Sequence, residues 1–283
     1  MNNQVYGGVM LANLNISQWT ARRTDKRAAA NVSVTFGVAQ EAHGTYYKSL
    51  VASDKLEALK KLATQIRTYH YKVTLPWSDS GPRILPAAMF TEYVTEMNAY
   101  ERQFNALVEE FLSEYPLTRS EAKRTLGQLF DDTDYPPTAD IRTRFNMRVQ
   151  YLPLPIGDDF RCQIGDNATE ERIRREITAE TDATIAKTVG ELVDRIKAVI
   201  DGYLDGIGKT TSRGAFVVNA RELVNLLPKL NVTNNANINA LYESMRDTLV
   251  QFSADDMKHN VEAQEQARDA ANKIKSDLMG WFK

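Results

Sequence analysis

The sequence predicts a mostly helical α+β protein: a small antiparallel sheet packed on helices, followed by a C-terminal helical bundle or arm. Two kinds of pattern lead there. Apolar residues recur at helical spacing in three long seams, Tyr93–Phe111, Ile185–Tyr203 and Ala263–Trp281. A contrasting period of two runs through Ile141–Tyr151, where Ile141, Phe145, Met147, Val149 and Tyr151 alternate with Arg142, Arg144, Asn146, Arg148 and Gln150. The length of 283 residues permits about two domains. The expected division is an α+β domain over 1–165 and a helical domain over 166–283.

The elements follow in order. Ala12, Leu14 and Ile16 alternate with Asn13, Asn15 and Ser17, as in a short strand. The basic cluster Arg22, Arg23, Lys26 and Arg27 comes next. Residues 28–38 fit either helix or strand, because Ala28–Ala30 favour helix while Val32, Val34, Phe36 and Val38 alternate. A helix is predicted over Asp54–Tyr71, with Asp54 as its cap. The Pro/Gly-rich insert Leu75–Pro86 reads as irregular, and Pro86 opens a long helix that Pro116 stops. Thr118 and Glu121 mark a new helix. An acidic loop, Asp131–Asp140, leads into the arginine strand, and residues 160–164 look like its hairpin partner. Helix is predicted from Thr169, with a Gly/Ser/Thr-rich break at 206–219. A short helix after Asn219 meets Pro228, and an Asn-rich loop at 231–239 leads to two helices at about 238–252 and 254–281. Ser253 and Asp256 mark the start of the second. The seams at 185–203 and 263–281 can meet each other or a second subunit.

The formal net charge of −2 argues against a wholly basic nucleic-acid coat but allows a local basic face. A single cysteine, Cys162, excludes an intrachain disulfide framework and fits a reducing compartment. Met1–Leu11 lacks the pattern of a signal peptide, and no apolar run approaches a membrane span. We therefore expect a cytoplasmic protein without a membrane partner.

The arginine face is the main candidate site. Arg142, Arg144 and Arg148, with Arg161 on the neighbouring strand, can follow backbone phosphates along about 20 Å of strand, and Tyr151 can stack a base. The plainer alternative is a solvated face paired with nearby aspartates. Trp77 and Arg83 in the Pro/Gly insert are candidate protein-interaction residues, with structural packing as the alternative. Gly206-Ile207-Gly208-Lys209-Thr210 only imitates a phosphate loop: Tyr203 stands where a glycine is needed, and helix rather than strand precedes it. Ser120–Lys123 matches a serine–lysine hydrolase spacing without its companion motifs. His43, His70 and His259 are far apart, so neither a metal nor another cofactor is expected. No catalytic residue stands out.

Leu75-Pro76-Trp77, Gly81, Arg83–Pro86, Leu126-Gly127, Tyr135-Pro136 and Asp159-Phe160-Arg161 carry a resemblance. Over about residues 10–165 the chain resembles a family of phage, prophage and mobile-element proteins known only as a domain of unknown function. Genes of that family tend to lie near those of phage recombination proteins and of a chaperone-like ATPase with an adhesion-type partner. The resemblance implies a role in DNA metabolism or assembly inside a bacterial host, by association only. Two functions are weighed. The first is a non-enzymatic protein that binds single-stranded DNA or RNA through the arginine face and self-associates. The second is a protein-interaction module that uses the Trp77 loop and the helical seams against a phage or host protein. It would act as an ATPase adaptor, a structural assembly element or an inhibitor of host defence.

Overall fold

A computed structural model describes residues 8–39, 42, 44–78, 80–157, 166–209 and 214–282. The strands are β1 (Val9–Ser17), β2 (Arg22–Thr24), β3 (Tyr47–Ser49), β4 (Leu75–Pro76), β5 (Arg83–Pro86) and β6 (Asn146–Leu152). The helices are α1 (Lys26–Phe36), α2 (Asp54–Val73), α3 (Phe90–Leu126), α4 (Thr138–Arg142) and α5 (Asn167–Gly206). They continue as α6 (Ala215–Leu230), α7 (Ala236–Thr248), α8 (Asp256–His259) and α9 (Val261–Trp281). The protein is 69% helical with a small antiparallel sheet, an α+β fold dominated by helix. That sheet has the order β4-β5-β1-β6, with Val9 opposite Pro86 and Ala12 opposite Arg83. The short strands β2 and β3 form a second, two-stranded sheet.

Several expectations need correction. The Pro/Gly insert is a hairpin: β4 pairs with β5, and Pro76 is tolerated because β4 lies at the sheet edge. Helix α3 does not stop at Pro116. Phe111, Leu112, Tyr115 and Ala122 are buried on both sides of the proline, and packing carries the helix across the lost hydrogen bond. Thr118 accordingly caps nothing, and its hydroxyl donates to the Tyr115 carbonyl. At the start of α2 the capping oxygen is Ser53 Oγ, which accepts from Leu56 N–H, while Asp54 sits in the first turn. Helix α6 starts at Ala215 and continues through Pro228. The last helix is two pieces, α8 and α9, separated by the extended Asn260. Ser253 and Asp256 do cap α8 reciprocally, side chain to backbone in both directions. The ambiguous segment 28–38 is mainly the helix α1, closed by Gly37 at φ 62°.

Contacts divide the chain into two units that interleave in sequence. One comprises Met1–Asn13, Tyr71–Tyr93 and Gln150–Lys283, and is called the bundle unit here. The other, Leu14–His70 with Val94–Val149, is the insert unit. The division therefore does not fall at 165/166, because Val9, Leu11, Leu75 and Ile84 share one core with the C-terminal helices.

In the bundle unit α5 packs against α6 and α9, and α7 packs against α6 and α9. The two expected seams thus meet. Ile196, Ile200 and Tyr203 from α5 join Ala267, Ala271 and Ile274 from α9 in the core. The C-terminal end of α2 is secured by Arg195 of α5. Its guanidinium donates to the carbonyls of Tyr71, Lys72 and Thr74 at 2.8–3.1 Å, acceptors that a helix end leaves open. The insert unit is built around Trp19, which meets Phe111 and, edge-on, Tyr115. Phe111 also meets Phe145.

Gly206 ends α5 against α6. A Cβ there would fall 2.3 Å from the Phe216 ring, so the close approach requires glycine. Gly206→Ala should destabilise the fold by roughly 1–3 kcal/mol through overpacking. Gly202→Ala, in the same helix with open space around its Cβ, should stabilise it by about 0.5–1 kcal/mol. Urea midpoints of the two variants check this opposite pair.

Candidate nucleic-acid interface

Sequence separation hides the organising feature of the insert unit. In the β2–β3 sheet Arg22 lies opposite Ser49, Arg23 opposite Lys48, and Thr24 opposite Tyr47. Cross-strand partners share a face, so Arg23 and Lys48 point one way and Arg22, Thr24, Tyr47 and Ser49 the other. The first face is a buried ionic cluster. Lys48 is 4% exposed; its ammonium meets Asp134 at 2.8 Å and Asp25 at 3.0 Å, and donates to the Leu129 carbonyl at 2.6 Å. Arg23 reaches the other oxygen of Asp134 at 3.2 Å. Burial works against the Lys48 charge, but the bonds and charges of Asp134 and Asp25 outweigh it and raise its pKa above the ordinary 10.5. Asp25 is also the N-cap of α1, accepting from the N–H groups of Arg27 and Ala28. The Ala28 N–H and then Lys48 hold the Asp25 carboxyl below its ordinary 3.8.

The second face is open. Arg22, Lys26 and Tyr47 line a shallow hollow of about 610 Å³ with Thr20 and Thr24, and Arg23, paired with Asp134 on the other face, reaches its edge. No carboxylate lines it, and the Tyr47 side chain stands out to solvent. Two local conflicts sit beside it. Ala21, just before β2, is buried with φ 50°, a left-handed conformation that costs a non-glycine residue about 1 kcal/mol or more. Helix α1 carries Lys26 and Arg27 in its first turn and no acid there, the wrong sign for its dipole. Both add positive potential or strain where the hollow is.

The predicted site residues do not gather as the alternation implied. Arg142 is not in a strand. It ends α4, whose start is fixed by Pro137 at φ −55°, and its guanidinium is bidentate on Glu109 of α3. The strand begins only at Asn146. Arg144 lies in the turn before it and Arg148 within it; both are exposed and form no ion pair among the described residues. Tyr151 is 39% exposed and packs edge-on against Phe90 in the bundle unit. Arg161 and the hairpin partner strand at 160–164 lie outside the described residues. Trp77 is half-buried against the bundle core. Arg83 is turned inward: it donates to Thr74 Oγ1 at 2.8 Å and covers the Tyr71 ring at 4.7 Å. Burial, then the nearby Arg195, lowers its pKa. The basic cluster at 22–27 was legible, but it belongs to a separate sheet from β6 and does not extend the arginine face. The contribution of Tyr47 was not legible, because nothing in a three-residue strand announces its partner.

Gly208 and Lys209 of the false phosphate loop are exposed, and Lys209 pairs with Asp205. Among the described residues no cluster of three or more His, Cys, Asp or Glu side chains suits a metal ion. No helix among them is long and apolar enough to cross a membrane. No family model, curated protein or solved structure matches this chain.

The ionic cluster makes two checkable predictions. Lys48→Met leaves the buried Asp25 carboxylate without a counter-ion and Asp134 with Arg23 alone, and should cost about 3 kcal/mol in chemical denaturation. Asp25→Asn keeps the Oδ1 capping acceptor, removes the charge and replaces the oxygen that receives Lys48 with an amide NH2. Because the Asp25 pKa is depressed, its ionic contribution is complete above pH 3.8 and lost as pH falls below that. The variant should be weaker at pH 7 and show a flatter stability loss below pH 3.8. Unfolding midpoints across an acid series read both effects.

Proposed function

We propose that this is a non-enzymatic protein that binds single-stranded nucleic acid through the insert unit and self-associates. The observation that carries the reading is the open hollow of Arg22 and Lys26 around an exposed Tyr47, with no carboxylate among its described lining residues, on a chain of net charge −2. Cations fix phosphates without reading sequence, and an exposed aromatic ring offers a stacking platform to an unpaired base. A duplex hides its base faces, so the tyrosine favours single strands. Arg144 and Arg148 add exposed cations in the same unit. We extend the proposal to a role in phage-type DNA metabolism, which rests on the sequence resemblance alone.

A second reading, a protein-interaction module, draws on α1. Only Ala28 and Ser33 of that helix are buried, while Val34 is 83% and Phe36 77% exposed. Isolated apolar side chains are ordinary, but Val32, 47% exposed, stands one turn from Phe36 on the same face, and the pair makes a contact surface for a protein partner.

Fluorescence anisotropy with a labelled single-stranded oligonucleotide separates the readings. Arg22→Glu with Lys26→Glu should weaken binding at least tenfold. It should also flatten the salt dependence by about 1.4 in log–log slope, two phosphates at about 0.7 each. Arg144→Glu with Arg148→Glu should act in the same direction. Binding that ignores salt, or that survives all four reversals, would overturn the proposal. Loss of partner capture on Phe36→Ser with nucleic-acid binding intact would favour the second reading.

A further inference from the structure

We infer that the same surface prefers guanine among unpaired bases, an inference that rests on the nucleic-acid reading above. Tyr47 lines two hollows at once. On one side lies the cationic hollow with Arg22 and Lys26. On the other lies a smaller groove of about 250 Å³ between β3 and the C-terminal part of α3, where Tyr46, Ala122 and Leu126 supply apolar walls. A phosphate held by the cations would place its base at the tyrosine and into this groove, which has room for one nucleobase and little more.

The polar groups of the groove decide which base. Thr118 donates its hydroxyl to the Tyr115 carbonyl, Thr125 to the Glu121 carbonyl and Ser49 to the Val51 carbonyl. The Lys48 ammonium is taken up by Asp25, Asp134 and the Leu129 carbonyl. The Tyr46 and Tyr47 hydroxyls, which both donate and accept, do not discriminate between bases; Glu121 is different, because it is exposed and its carboxylate, an acceptor only, forms no ion pair or hydrogen bond among the described residues. An ionised carboxylate only accepts, through two parallel oxygens. Guanine is the base whose Watson–Crick edge presents two adjacent donors, the ring N–H and the exocyclic amino group. Adenine and cytosine set one amino group beside a ring acceptor, which the carboxylate repels. Uracil and thymine flank a single N–H with two carbonyls. Single-stranded bases are read on this edge by side chains that also stack them.

The test uses the full chain and short labelled single strands that differ at one central position: guanine, inosine, which lacks the 2-amino group, or adenine. Wild-type protein should bind the guanine strand about tenfold more tightly than either of the others. Glu121→Gln, an isosteric change at an exposed site, should erase that preference, so that the guanine, inosine and adenine strands bind alike. Arg22→Glu with Lys26→Glu should weaken all three strands alike. A wild-type protein that binds every strand equally in a salt-dependent way, or a Glu121→Gln variant that keeps the guanine preference, overturns this inference and leaves the nucleic-acid reading standing. Absence of binding to any strand removes both.

Discussion

A lysine ammonium that has left water, with two carboxylates to receive it, is the constraint on which the insert unit depends. Moving an ion into a protein interior costs several kcal/mol unless geometry and hydrogen bonds compensate, and Lys48 has all three of its donors used. A two-stranded sheet with three residues in each strand is marginal on its own. The ionic cluster supplies what the ladder lacks, because only one register brings Arg23 and Lys48 onto Asp134 together. Asp25 links the same cluster to the first turn of α1, so strand register and helix entry are one decision. The outward face, with Arg22 and Tyr47, is displayed as a by-product of that inward choice.

The surroundings of the hollow gather several local inconsistencies in one short stretch. A left-handed alanine, a helix with cations at its positive end, and apolar side chains left in water all lie between residues 21 and 36. Protein sequences usually agree with their structure at every level, and departures concentrate where a surface is kept for something other than stability. The bundle unit shows the contrasting habit. Its orphan carbonyls, close glycine contacts and buried alanines are all resolved internally, and even Arg83, which looked like an interaction residue, is spent on Thr74 and Tyr71.

Legibility followed periodicity. The seams of α3, α5 and α9 were visible because a spacing of three and four repeated over many turns, and α5 meets α9 as the seams implied. Prolines misled three times: Pro116 and Pro228 lie inside helices, and Pro76 lies in an edge strand. The alternation at 141–145 also misled, since five residues on either side of a turn satisfy a period of two by chance, and Pro137 with the buried Ile141 favours a helical turn there. Of the candidate site, the basic residues were legible and their setting was not. Lys48 meets partners 23 and 86 residues away, and Tyr47 acquires its role only from the strand opposite. No local signal encodes such distances.

The core of the bundle unit joins Val9 and Leu11 to Ile274 and Leu278. Val9 and Ile274 are 265 residues apart in the chain, so they are synthesised far apart in time. Until α9 emerges, the apolar faces of α5 and α6 have no complete cover, although their own helical turns can already form. Contacts so distant in sequence close slowly, since loop entropy must be spent before burial repays it. The apolar faces of α5 and α6 therefore stay incompletely covered from their own synthesis until Val261–Trp281 is made. In that interval holding chaperones, or a second copy of the chain, have their best access to them.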